Sequence, residues 1–338
     1  MRKLCAQEKN RTPYAHACRF GRALRTVLLT SMLFLPFAAS AAHMTVLVVT
    51  TESGTTHEEV LNSLRATLAD ALDKRLSLRA ITTKEFSNAS VRTAGSSAPD
   101  LIVTVGTEAA MAVMQTRPVT PVYCSLLPQS AYAVLADRVR GEQTRLSALY
   151  LDQPFVRQLR LIRLALSAQA RVGVVLGPES RKSELALRDA ATAAGVTLRV
   201  EEISDEKQLI GALHRVMNNA DILLAVPDQL VFNRNTAQSV LLTTYRLGKP
   251  VAGYSRAYES AGALLSVFST PAQIGRQVGE ELLAMQARTG GALPAPGYPR
   301  HFSVEINEHV AHSLGIEPGL ADDLVRQLTD TSSGSSHE

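Results

Sequence analysis

The chain repeats its own plan. Val46–Gly54 (VLVVTTESG) is answered by Val172–Ser180 (VGVVLGPES), Asp100–Thr107 (DLIVTVGT) by Asp221–Asp228 (DILLAVPD), and Pro121–Ser125 (PVYCS) by Pro250–Ser255 (PVAGYS). In each pair an apolar, largely β-branched run stops at a small polar loop and a helical stretch follows. The order is kept across offsets of roughly 120 to 130 residues. A duplicated strand–loop–helix unit predicts an α/β protein of two Rossmann-like lobes with parallel sheets, whose strand-end loops face each other across a cleft.

Between these landmarks the βα alternation is almost unbroken, from the strand Thr45–Thr50 and the amphipathic helix His57–Lys74 to the helix Leu230–Leu247 and the strand Pro250–Tyr254. The strands are near-continuous Val, Ile and Leu, as a parallel sheet covered on both faces requires. Phe86–Pro99 is rich in Ser, Ala and Gly and reads as a loop or short broken helix. If the segments at 146–152 and 257–263 both cross between lobes, each lobe is discontinuous. The expected organisation is 43–150 plus 257–288 for one lobe, 151–256 plus 300–322 for the other, and a disordered Ser/Gly/Asp-rich tail at 323–338.

The first residues bear on location. Arg19, Arg22 and Arg25 precede the uncharged run Thr26–Ala39, and Ala39-Ser40-Ala41 offers the small-residue end of a secretory signal peptide. The run is shorter than the roughly 20 residues a membrane span needs. Residues 1–42 are therefore expected to be a signal peptide, with a mature start at Ala42 or His43 and a periplasmic location; an uncleaved membrane anchor is the alternative. The leader up to residue 41 holds seven basic residues against one acid. Of a whole-chain charge of +4, the remainder keeps about −2. No basic surface is left to suggest nucleic acid. Cys5 and Cys18 lie in the leader, and Cys18 stands upstream of the apolar run, where it cannot bear a lipid after cleavage. Cys124 alone gives neither a disulfide nor a zinc set and reads as a small buried hydrophobe.

Catalytic signatures are lacking: there is no nucleophile elbow, no phosphate loop and no dinucleotide fingerprint. His57-Glu58-Glu59 lacks the second histidine of a zinc helix and reads as a solvated helix start. His309 and His312 stand three apart without a third ligand, and no metal or cofactor is expected. Polar residues instead gather at the strand ends, where open α/β sheets bind ligands. In the first half these include Glu52, Ser53, Thr107, Glu108 and Ser125; in the second, Asp228, Tyr254, Tyr258 and Glu259. The helix opening at Thr107–Ala109 offers N–H donors to a carboxylate. Thr51, Thr107, Glu179 or Asp228 taken singly is equally an ordinary helix cap. Tyr254 and Tyr258 either stack on a flat ligand, with Glu259 accepting from an ammonium, or pack in the hinge beside a surface Arg256–Glu259 pair.

Five segments carry a resemblance: LIVTVGTEAA (101–110), ARVGVVLGPES (170–180), ADILLAVPDQLVFN (220–233), GKPVAGYSRAYESAGALLSVFSTPAQIGRQVGEEL (248–282) and FSVEINEHVAHSLGI (302–316). Together they resemble the ABC-transporter substrate-binding protein family that includes tryptophan- and tyrosine-binding lipoproteins. The resemblance implies a type I periplasmic-binding-protein fold, two lobes joined by three crossings and closing on a ligand. Two places depart from the family pattern. Ser125-Leu126-Leu127-Pro128 stands where an Asp-Pro is usual, and residues 141–146 replace an Asn-Val-Thr-Gly stretch, so the wall facing an aromatic amino acid is altered. The expectation is a monomeric, non-lipidated, non-catalytic binding protein that takes a small-molecule ligand, an amino acid or related organic acid or amine, to an ABC permease. The alternative is a periplasmic module read by a membrane sensor domain.

Overall fold

The structure, a computed structural model, describes residues 43–333 apart from 52–53, 73, 88–97, 142, 234 and 289–291. The expected leader and the expected site residues Glu52 and Ser53 lie outside the described residues. In the first half β1 (Met44–Thr50), α1 (Thr55–Leu68), β2 (Leu76–Thr82), α2 (Thr83–Ser87), β3 (Leu101–Val105), α3 (Thr107–Gln115), β4 (Val122–Leu127), α4 (Gln129–Arg138) and β5 (Leu146–Tyr150) follow in turn. They form a parallel sheet of order β2-β1-β3-β4-β5.

The apolar strands are explained by what covers them. In β1, Val46 and Val48 point into a core with Leu64 and Leu68 of α1, while Leu47 and Val49 point into a second core with Val113 and Met114 of α3. Alternating side chains thus both meet protein, and the strand has no solvent face to mark with polar residues. Leu64 and Leu68 are fully buried, each worth roughly 1.5–3 kcal/mol relative to exposure.

The second half runs α5 (Phe155–Ala165), β6 (Arg171–Leu176), α6 (Glu184–Ala194), β7 (Thr197–Glu202), α7 (Leu209–Met217), β8 (Ile222–Leu224), α8 (Thr236–Arg246), β9 (Val251–Gly253), α9 (Arg256–Ser260), β10 (Leu265–Phe268), α10 (Pro271–Ala287), β11 (Ser303–Ile306), α11 (Glu308–Leu314) and α12 (Ala321–Ser333). Its sheet has the order β11-β10-β9-β8-β6-β7, parallel except where β11 runs antiparallel to β10.

Three boundaries differ from the sequence reading. The second crossing is not at 257–263 but at 269–270, because β10 pairs with β9 and β11 and so belongs to the second lobe. The helix expected from Leu230 begins at Thr236, because Asn233 Oδ1 accepts the N–H groups of Asn235 and Thr236 and caps a new helix there. The tail expected to be disordered from 323 is helix α12 as far as Ser333, with Leu324 and Leu328 buried in the same core as Leu159 and Ile162 of α5.

After the second crossing, α10 returns to the first lobe and packs on α1. It starts at a capping box in which Thr270 Oγ1 accepts from Gln273 N–H and Gln273 Oε1 accepts from Thr270 N–H, with Pro271 in the first turn. Gly275 and Gly279 let the two backbones touch: a Cβ at Gly275 would lie 2.2 Å from Val60 O, and one at Gly279 2.8 Å from Thr67 Cβ. The described residues fall in one compact unit, in which the chain passes between the sheets at 151–154, 269–270 and 298–302, Gly297 still bridging Leu149 of the first sheet.

Candidate functional site

A cavity of about 460 Å³ opens at the strand ends of the first lobe. Thr51 follows β1, Gly106, Thr107 and Glu108 follow β3, Leu126 ends β4, Leu151 opens the first crossing, Ser269 and Pro271 frame the second, and Thr56 and His57 come from α1. An adjoining cavity of about 480 Å³ shares Thr51 and Glu108 and adds Thr83, Lys84, Ser87 and Ala112. Both volumes suit a small molecule.

Thr107 and Glu108 stand where the sequence placed them, exposed at the opening of α3. Gly106 precedes them at φ +96° as the N-cap residue and has no side chain with which to cap, so the first N–H groups of the helix have no N-cap side chain to accept them. The reason for a glycine is local: a Cβ there would lie 2.9 Å from His57 Nε2.

His57, read in sequence as a solvated helix start, is corrected to a cavity residue. Its Nε2 lies 2.9 Å from Thr51 Oγ1, and its Nδ1 is buried without a hydrogen-bond partner. A hydroxyl–imidazole contact is half of a nucleophile–base arrangement, but no acid orients the other ring nitrogen. Thr51 follows the apolar run of β1 and so shares the strand-end signal of the other polar loops; His57 carries no such signal, and only the fold brings the α1 imidazole beneath the β3 loop.

Ser125 is buried and spent: its hydroxyl donates to Thr104 O at 2.9 Å, and its carbonyl accepts Gly106 N–H at 2.9 Å. The cavity position falls to the next residue. A register shift between Ser125 and Leu127 in the β4–β5 pairing, with Leu126 at φ +55°, turns the Leu126 side chain to the mouth.

The second lobe assigns its expected residues differently. Asp228 is buried, and its carboxylate accepts five hydrogen bonds. Oδ2 takes Glu179 N–H (3.1 Å), Ser180 N–H (2.9 Å) and Ser180 Oγ–H (2.9 Å), and Oδ1 takes Leu230 N–H (2.8 Å) and Val231 N–H (3.2 Å). Desolvation opposes its charge, yet the bonds from Ser180, Leu230 and Val231 outweigh it and hold its pKa below the usual carboxylate range. With its carboxylate taken up by protein donors, Asp228 braces the β6 loop to the β8 loop.

The tyrosines pack. Tyr254 and Tyr258 rings lie 4.8 Å apart at 45°, Phe232 meets Tyr258 edge-on at 6.0 Å, and burial pushes the Tyr258 phenol pKa up. Arg256 pairs with Glu305 at 2.5 Å rather than with Glu259. Glu259 is half-buried, with Ser260 Oγ 3.2 Å from its carboxylate. Asp228, Tyr254, Tyr258 and Glu259 line neither cavity.

A chain of side chains, absent from the sequence reading, ties the crossings together beside the cavity. Arg157 Nη1 donates to Gln153 Oε1 (2.6 Å) and to Pro299 O (2.9 Å), Gln153 Nε2 donates to Ser269 Oγ (2.8 Å), and Ser269 Oγ donates to His301 O (2.7 Å). The Arg157 guanidinium lies 4.2 Å over the Phe302 ring, and burial lowers its pKa to about 10, which still leaves it charged at neutral pH. One residue from each crossing is thus bonded to the next. No helix among the described residues is long and apolar enough to cross a membrane.

No family model matches the chain, and no curated protein matches it. Solved structures do. A substrate-binding protein with adhesive properties from Clostridium difficile, in a ligand-free, open form, is 16% identical over 82% of this chain and 96% of its own, with a TM-score of 0.65. An ABC domain from Streptococcus pneumonia in complex with L-Trp is 16% identical over 84% and 98%, at 0.54. A conserved domain protein from Vibrio cholerae is 19% identical over 84% and 97%, at 0.52. At such identities the likeness is one of architecture, and with the two parallel sheets and three crossings it gives the chain the type I periplasmic-binding-protein fold.

Proposed function

We propose that the chain is a periplasmic solute-binding protein without catalytic activity, which closes its lobes on a small polar ligand and delivers it to an ABC importer. The observation that carries this reading is the cavity of about 460 Å³ set between first-lobe strand ends and two of the three crossings. A ligand there touches one lobe and the hinge at once, so its binding energy bears directly on the angle between lobes.

The lining suggests the ligand class, an amino acid or a related organic acid or amine. The opening of α3 offers N–H groups and the positive end of its dipole to a carboxylate, Glu108 is exposed to take an ammonium, and Leu126, Leu151 and Pro271 offer an apolar wall to the carbon skeleton. Within the second lobe, Tyr254 and Glu259 keep acceptor or ring surface for a closed form, whereas Asp228 and Ser125 act by holding loops.

Thermal-shift screening of the exported protein against amino acids, organic acids, polyamines and nucleosides tests the reading. A ligand at a hundred times its dissociation constant adds about 2.7 kcal/mol. At roughly 1.5–2 °C per kcal/mol for a chain of this size, the midpoint should rise by about 4–5 °C. Small-angle scattering should then show a smaller radius of gyration with the ligand bound. Saturation without compaction excludes closure.

A further inference from the structure

The contact between Thr51 and His57 deepens the proposed function and rests on it. It can be made in two ways: the Thr51 hydroxyl donates to a bare Nε2, or Nε2–H donates to the hydroxyl oxygen. The other ring nitrogen decides between them. Nδ1 is buried and unpartnered. A ring with its proton on Nδ1 would bury an orphaned N–H donor, whereas a ring with its proton on Nε2 leaves only a lone pair unused. Orphaned buried donors are the rarer and costlier case.

With Nε2–H directed at its oxygen, the Thr51 hydroxyl hydrogen must point elsewhere, and Thr51 lines both cavities. The same cavity is lined by the opening of α3, whose N-cap Gly106 has no side chain and whose first turn presents N–H donors. We propose that His57 is a positioning residue that fixes Thr51 as a hydrogen-bond donor toward the cavity, so that Thr51 and the start of α3 together receive the carboxylate of the ligand. Glu108, which would repel a lone carboxylate, takes the ammonium of a zwitterion instead.

The first test needs no ligand. In ¹⁵N-histidine-labelled protein, long-range nitrogen–proton correlation should find the His57 proton on Nε2 and a bare Nδ1 at alkaline pH. A proton on Nδ1 overturns the proposal. The second test uses calorimetry with two probes of similar size and opposite charge, 3-phenylpropionate and 3-phenylpropylamine. The wild type should favour the carboxylate at least tenfold. Thr51→Val should abolish that preference, His57→Ala should reduce it several-fold, and His57→Gln, whose amide N–H can replace the Nε2–H bond, should restore it; melting curves establish that each variant is folded. Preference for the amine, or a His57→Ala variant that discriminates as the wild type does, also overturns it. If neither probe binds, the carboxylate assignment falls together with the proposed function, while the nitrogen spectra separately decide the proton placement.

Discussion

Asp228→Asn separates a binding carboxylate from a structural one. The native group satisfies five donors, three on Oδ2 and two on Oδ1. Asparagine keeps one acceptor oxygen and replaces the other by an NH2 that can only donate. The less damaging orientation keeps the oxygen toward Glu179 and Ser180 and leaves the N–H groups of Leu230 and Val231 facing a donor. Two buried unpaired N–H groups at about 1–3 kcal/mol each give a loss of roughly 2–6 kcal/mol. For a chain of this length, at about 1.5–2 °C per kcal/mol, that lowers the melting midpoint by about 3–12 °C. Differential scanning calorimetry on wild type and variant measures the loss, and titration of the folded variant with a ligand found by screening measures affinity. A large thermal loss with affinity reduced less than threefold is expected. A midpoint unchanged within a degree, with affinity down tenfold or more, would refute the reasoning and return Asp228 to the ligand.

In the hinge, Ser269→Ala should cost about 1–3 kcal/mol, since it strips a donor from His301 O and an acceptor from Gln153 Nε2. A double-mutant cycle with Gln153→Ala, followed by chemical denaturation, should give a coupling of at least about 0.5 kcal/mol, and strict additivity would count against a connected chain. For Gly275→Ala, helix propensity alone argues for a gain of about 1 kcal/mol. The 2.2 Å approach of a Cβ to Val60 O argues for a loss of about 1–3 kcal/mol, so the sign of the change in melting midpoint decides which effect governs the α1–α10 contact. On the second lobe, hydrogen bonds from Arg171 hold the Asp221 carboxyl at about 2. Its contribution is present above the ordinary carboxylate value near 4 and is lost as pH falls from about 4 to 2. With the side chain 34% exposed, solvent screening limits it to about 1 kcal/mol or less. Acid-unfolding curves of Asp221→Asn and wild type should therefore separate above pH 4 and merge below about pH 2.

The lobes were legible in the sequence because their cause is local and repeated. A strand such as Val46–Val49, buried on both faces by α1 and α3, has to be apolar throughout, and that pattern recurs in β6 and β8. The opening of α3 at Thr107 and Glu108 was legible for the same reason, as a polar loop ending an apolar run. Leu264–Phe268 is equally apolar whichever sheet it joins, so only its hydrogen bonds to β9 and β11 put the crossing at 269–270. The five donors on Asp228, the Gln153–Ser269–His301 chain and the imidazole of His57 against Gly106 depend on groups far apart in the chain or on a loop geometry no motif encodes. Polar side chains at strand ends look alike in sequence whether they face a ligand or satisfy a neighbouring backbone. Composition and periodicity determined the two parallel sheets and the end of each at which polar groups collect; the tertiary structure decided which of those groups are spent on the fold and which remain open, because hydrogen-bond saturation is a property of distances between loops.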